Sequence, residues 1–140
     1  YLESIGTTNI LCLEDMEIGE RPLEKALFGG GIDNVGGDLL SWVLRSTVPE
    51  GNVASIGLAA DFKLPTNVMP FILRGVNLLG VNSTTLPNSF KQEVWDDIAN
   101  NMSPKHIQSI VTKEVSLKEL PEQFQEFLDG SIVGRVLVKI

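Results

Sequence analysis

Five glycines fall within GGGIDNVGGDLLSWVLR, residues 29–45, and their spacing is the first pattern in the chain that could do chemistry. Gly36 and Gly37 stand where an apolar, strand-like run gives way to an amphipathic one, and Gly57 closes a second such run, NVASIG. Glycine costs backbone entropy in either element, so a left-handed turn or the close approach of another group has to justify it. A strand end with no side chain lets a flat ligand or its phosphates reach the main chain. A helix beginning after Gly37 would add unpaired N–H groups and the positive end of its dipole. Tight strand-to-helix turns need the same glycines with no ligand at all, and spacing alone favours that plainer reading.

Other chemistry is sparse. There is no G-x-G-x-x-G, because Gly29–Gly31 precede their strand and Asn34 stands where the last glycine belongs, and there is no G-x-x-x-x-G-K-[ST]. The single histidine, His106, lies in a polar SPKHIQ stretch with no nucleophile motif, so a solvated position is expected for it. Cys12, within an apolar run, is expected to be a small core residue, and one cysteine excludes an internal disulfide. No Cys/His cluster has zinc spacing, and no residue is assigned as catalytic. Glu93, Asp96, Asp97, Glu122 and Glu126 fall on helical patterns as solvated faces, while Trp42 and Trp95 are expected to pack.

The bulk properties narrow the class. A chain of 140 residues with 43% hydrophobic content suits one globular domain or a piece of a larger one. A net charge of -7 provides no electrostatic footprint for nucleic acid or an anionic membrane surface. The most apolar segment, NVMPFILRGVNLLGV, is broken by Pro70, Arg74 and Asn77, which excludes a helical membrane span there. No signal peptide is expected at Tyr1, where Glu3 replaces a basic flank, and a reducing cytoplasm fits the lone thiol.

Elements that would position the glycines alternate along the chain. A helical turn ends at Gly6, NILCL (residues 9–13) has strand character, and Pro22 could open a helix through Leu23 and Leu27. GIDNV follows as a buried strand, then a helix with Leu39, Leu40, Val43 and Leu44 on one stripe. NVASIG and GVNLLGV are further strands, with a short helix at most between Pro65 and Pro70. Ser89 and Gln92 have the spacing of a capping box for a helix burying Phe90, Val94, Ile98 and Met102. SIVTKEV reads as a strand, and Ser116 with Glu119 as a second capping box before a helix buried along Leu117, Leu120, Phe124, Phe127 and Leu128. GRVLVKI closes the chain as a strand. Strands separated by helices predict parallel pairing in an α/β layered fold, with Gly36 and Gly57 on one rim at the strands' carboxyl ends.

YLESIG, RPLEKALFGGGIDNVGG, VASIGLAADFKLPTNVMPFILRGVNLLGVNS and GSIVGRVLVKI together carry a resemblance that covers essentially the whole chain. It resembles the second half of the medium-chain dehydrogenase/reductase superfamily, in the zinc-free, quinone oxidoreductase-like branch that includes acryloyl-CoA reductase. The resemblance implies a fragment of an NADPH-dependent oxidoreductase that passes hydride to an activated alkene such as an enoyl-CoA, or to a quinone. Its small-molecule substrate would lie in a GroES-like catalytic domain, and its cofactor in a Rossmann domain of strand order 3-2-1-4-5-6. On that pattern NILCL is the family's strand 3, GIDNV strand 4, NVASIG strand 5 and VNLLGV strand 6. Strands 1 and 2 are then missing, and strand 4 becomes an unpaired edge. Residues 1–106 would be a partial nucleotide-binding domain and 107–140 a segment returning to the catalytic domain.

The same resemblance implies the site. Cofactor contacts would fall at Asn34, Val35 and Gly36, and at Ile56, Gly57 and Leu58. Gly80, Val81 and Asn82 would approach the nicotinamide carboxamide, and Arg135 the phosphates. Strand 76–82 would pair with its twin in a homodimer. Neither metal, nucleic acid nor membrane is implied. The alternative is a non-catalytic fragment that only assembles, without cofactor binding.

Overall fold

The computed structural model describes every residue except Glu17, Ser103, Pro104 and His106, so the expectation for His106 lies outside the described residues. By contact the chain divides into two compact units, Met16–Asn88 and Tyr1–Asp15 together with Ser89–Ile140.

Unit Met16–Asn88 holds a three-stranded parallel sheet. Strand β1 (Phe28–Asp33) leads through helix α1 (Gly37–Arg45) to β2 (Thr47–Ser55), and helix α2 (Met69–Arg74) leads to β3 (Asn77–Gly80). The sheet order is β1-β2-β3, with Asp33 opposite Ser55 and Ser55 opposite Gly80, so all three strands end level on one rim. The apolar stripe of α1 makes this possible. Leu40 and Leu44 are buried with Val53 of β2 and Val76, and Val43, Phe71 and Leu78 close the edges of that core. Trp42 is buried and meets Phe28 edge-on at 5.3 Å, as the packing expectation required.

The α/β architecture with parallel pairing is as read from the alternation of elements, and β1 is an outer strand of its sheet. Several local expectations fail. Residues 21–27 form no helix: the amides of Glu24 and Leu27 donate instead to the carbonyls of Arg45 and Ser46, at 3.0 and 2.7 Å, tying this segment to the end of α1. Arg74 reinforces the tie by donating to the carbonyls of Glu24, Arg45 and Thr47. Pro70 lies in the first turn of α2 and does not terminate a helix, as its fixed φ and missing N–H allow.

Unit Tyr1–Asp15 with Ser89–Ile140 contains α3 (Asn88–Asn100, all but its first residue), α4 (Ile107–Ile110), β4 (Val111–Ser116), α5 (Phe124–Leu128) and β5 (Arg135–Lys139). Strands β4 and β5 pair in parallel, the ion pair Lys139–Glu114 joins them, and Lys113–Glu126 ties β4 to α5. The helical turn ends at Gly6, whose φ of 99° is left-handed, as expected. NILCL, however, is no strand. It ends in a 3₁₀ turn at Leu13–Asp15, and a strand needs a ladder partner that none of the described strands provides. Cys12 is accordingly exposed and not a core residue. The first of the two expected helices is α3, which ends at Asn100 before Met102; the second is shorter than expected, a 3₁₀ turn at Leu120–Gln123 leading into α5, and the apolar stripes of both are not buried. Trp95 is 66% exposed and Leu128 81%, because nothing among the described residues of this unit covers those faces. Gln92 donates to Asp96 Oδ1 at 2.9 Å along its own helix, whereas Glu119 does close the box on Ser116, accepting from its N–H and its hydroxyl at 2.8 and 2.7 Å. Among the described residues no helix is long and apolar enough to cross a membrane.

Candidate functional site

The level ending of β1, β2 and β3 brings three loop entries together, and the hydrogen bonds between them define the rim. Beyond β1 the chain turns through Asn34–Gly36 under the control of Asp33. This carboxylate is 6% exposed and accepts from the N–H of Val35 and from the N–H of Gly36, all at 3.1 Å. The Asp33 carbonyl in turn takes the amides of Ile56 and Gly57, at 2.8 and 3.3 Å. Asn34 and Val35 carbonyls accept from Ala59 and Ala60, at 3.2 and 2.9 Å, and Gly36 bridges to Asp61. Two loops are thereby sewn into one layer.

This geometry explains the glycines. Gly36, at φ 75°, and Gly37, at φ 59°, occupy conformations that side-chain-bearing residues avoid, and a Cβ on Gly36 would overlap the Asp61 carbonyl oxygen. A Cβ on Gly57 would lie 2.6 Å from the Asn34 carbonyl. Both glycines accommodate the chain's own loops: main chain of the facing segment occupies the place a side chain would take at each, Gly36 is buried, and Gly57 stays half-exposed. At the start of α1 the Gly37 N–H donates to the Lys63 carbonyl at 3.2 Å, and the Asp33 carboxylate is the charge beside that helix end.

What stays open is the next gap along the rim. A cavity of about 390 Å³ is lined by Ser55, Ile56, Gly57, Leu58, Gly80, Val81 and Asn82. A Cβ on Gly80 would meet nothing within 4 Å, and Ile56, Leu58 and Val81 expose apolar surface around it. Asn82 spends its side chain locally, accepting from Thr84 and donating to Thr85 Oγ1, so it shapes a turn and presents main chain. Asn34 and Val35 line a neighbouring hollow of about 260 Å³ along β1, with Ile32, Leu39 and Val43. Six of the ten expected site residues thus surround one cavity, two line the adjacent one, and Gly36 is buried between the loops. Arg135 opens β5 in the other unit, exposed, donating to the Gly134 carbonyl at 3.0 Å. Sequence reasoning missed Asp33, the buried hub of the rim. Its only signal is an acidic residue ending an apolar strand three residues before a glycine pair.

No family model matches the chain. Relatives do. YhfP of Bacillus subtilis, which carries a quinone oxidoreductase name, is 37% identical over the whole chain, and its structure with NAD bound superposes over 99% of this chain and 43% of its own with a TM-score of 0.91. The acrylyl-CoA reductase AcuI of Ruegeria pomeroyi is 36% identical over 100% of this chain and 42% of its own. The YhdH oxidoreductase of Salmonella enterica, solved with NADP, shares 39% identity and a TM-score of 0.87 over 99% of this chain and 42% of its own. The chain is homologous, end to end, to a C-terminal part of these oxidoreductases. It spans less than half the length of the relatives it matches, 43% of YhfP. The resemblance carried by the LPT..VMPFILRGV.LLGV.S segment, residues 64–83, is therefore correct at the level of lineage and of the portion covered.

Proposed function

We propose that this chain supplies the far wall of a nicotinamide-dinucleotide crevice in an NADPH-dependent reductase whose acceptor is an activated alkene such as an enoyl-CoA, or a quinone. The observation that carries this reading is the open cavity between the ends of β2 and β3, in a chain closely related to proteins solved with NADP and NAD. The residues present fit one half of such a coenzyme. Apolar Ile56, Leu58 and Val81 around a side-chain-free Gly80 suit a flat ring, with main-chain groups of Gly80–Asn82 for its amide. The Asp33 carboxylate beside the start of α1 disfavours phosphates there, and Arg135 is their proposed partner. When bound, the coenzyme would supply hydride; the residues of this chain bind and orient it and exclude water from its face. Asn34, Val35 and Gly36 would extend the wall, with Gly36 acting through the loop packed on it.

Residues 1–106 are proposed to belong to the nucleotide-binding domain and 107–140 to a segment completing the catalytic domain. The strand at 76–82 is proposed to pair with a second copy, since β3 is an outer strand of its sheet and Leu79 is exposed. The lone thiol suits a reducing cytoplasm.

The test is oxidation of NADPH by the complete gene product with acrylyl-CoA or a quinone as acceptor. Turnover supports the reading, and absence of NADPH binding by that protein would overturn it. The isolated chain, lacking the opposite wall, is expected to bind NADPH weakly or not at all; low-micromolar affinity in a calorimetric titration would contradict this.

A further inference from the structure

We propose that Asp33 is the positioning residue of the rim: its carboxylate sets the course of the loops Asn34–Gly36 and Ile56–Asp61, and through them the wall of the cavity at β2 and β3. The functional half of this proposal rests on the coenzyme reading above, while its structural half does not. A carboxylate this buried is costly unless its oxygens are satisfied, and here both are engaged, Oδ1 by Val35 and Gly36 and Oδ2 by Gly36. The tight turn that results aims the carbonyls of Asn34 and Val35 at the amides of Ala59 and Ala60. It also seats Gly36 against Asp61, so close that no side chain would fit between them. The loop held in this way begins with Ile56, Gly57 and Leu58, which line the cavity.

Asp33 lines the neighbouring hollow along β1 but is absent from the lining of the cavity at β2 and β3, which it reaches only through the loops; it is not a catalytic residue. The register explains why the position is effective. Asp33 is the last residue of β1, opposite Ser55, the last of β2, so its main chain and its side chain address the two loops at the point where both leave the sheet. The change Asp33→Asn would keep the shape but replace one acceptor oxygen with an NH2 group facing the Gly36 N–H, and Asp33→Ala would remove both acceptors.

The experiment compares Asp33→Asn and Asp33→Ala with the parent in the complete gene product, using amide hydrogen exchange and steady-state kinetics. Exchange at Val35, Gly36, Ala59 and Ala60 is expected to accelerate about tenfold in Asp33→Asn and more in Asp33→Ala, with the core amides of Leu44 and Val53 unchanged. KM for NADPH is expected to rise by a similar factor while kcat and KM for the acceptor stay within about twofold, because only the coenzyme wall has loosened. Equal acceleration in loops and core would show a general structural role and overturn the proposal, as would unchanged loop exchange. Loosened loops with an unchanged KM for NADPH would break the link to the coenzyme. If the parent itself does not bind NADPH, the coenzyme reading fails and the exchange data alone decide whether Asp33 couples the loops. If Asp33→Ala does not fold, Asp33→Asn carries the test.

Discussion

Replacing Gly36 by alanine separates two roles that a glycine at a strand end can have. At φ 75° and ψ -161° the residue lies in a region that only glycine reaches without strain, which costs a side-chain-bearing residue about 1–3 kcal/mol. The added methyl would also collide with the Asp61 carbonyl oxygen, and it would stand 3.4 Å from Leu58 Cα, so the loop must move as a body. Forcing a packed neighbour aside in this way typically costs about 1–3 kcal/mol. Together the two effects give roughly 2–6 kcal/mol, a large part of the 5–15 kcal/mol that usually holds a domain together. In urea unfolding followed by circular dichroism, with a slope of about 2 kcal/mol/M, the midpoint should fall by about 1–3 M. Gly80→Ala is the matched control: nothing lies within 4 Å of its Cβ position, so its midpoint should stay close to the parent's. In the complete gene product the same Gly80→Ala change should weaken NADPH binding, because the methyl projects into the open cavity. A Gly36→Ala stability within about 0.5 kcal/mol of the parent would refute the reasoning, since it would mean that the Ile56–Asp61 loop is free to move away.

Leu44→Ala should cost about 2–5 kcal/mol in the same unfolding assay, because Leu44 is fully buried against Val53 and Val76 and its removal leaves a cavity under the sheet. Glu119 is held below its usual value of 4.5 by the N–H and then the hydroxyl of Ser116. Its folded-state carboxyl is the stronger acid, so its contribution is complete above 4.5 and fades as pH falls through the lower folded value. The stability gap between the parent and Glu119→Gln should therefore close in acid; a gap that stays constant from neutral to acid pH would contradict this. Leu79→Lys should yield monomers in sedimentation if β3 pairs with its twin, and unchanged sedimentation would remove that interface.

The legible parts of this fold are those whose signals and partners lie close together in the chain. The stripe Leu40, Val43, Leu44 and the strands on either side of it sit within one strand–helix–strand unit, so the pattern that marks the elements also packs them. NILCL fails for the opposite reason: its apolar run is genuine, but a strand is a relation between two segments, and Leu11 and Leu13 stay exposed without a partner. Helices α3 and α5 were legible as helices and illegible as to burial, since an apolar stripe states what a helix would bury and not whether a cover is present. At the rim, Gly36 and Gly57 were recognisable as places of close approach. That the approaching group is the Asp61 or Asn34 carbonyl has no local signature, because the contact depends on how two loops leave adjacent strands. Asp33 was invisible for a related reason: an acidic residue before a turn usually faces water, and only register buries this one.

The way this rim is filled constrains where coenzyme affinity must come from. A dinucleotide site commonly gains from a helix N-terminus facing the pyrophosphate, but here the first amide of α1, that of Gly37, already serves the Lys63 carbonyl, and the Gly36 N–H just before the helix serves the Asp33 carboxylate. A phosphate brought there would meet a resident negative charge in a chain whose net charge is also negative, -7. What the rim offers is apolar: Ile56, Leu58 and Val81 around Gly80. Affinity contributed by the Met16–Asn88 unit should then be insensitive to ionic strength, and any steep salt dependence of NADPH binding by the complete gene product must arise from cations elsewhere, with Arg135 the first to replace by alanine. Retention of the full salt dependence in Arg135→Ala would assign the phosphates to cations outside this chain. Loss of it would place them at the head of β5.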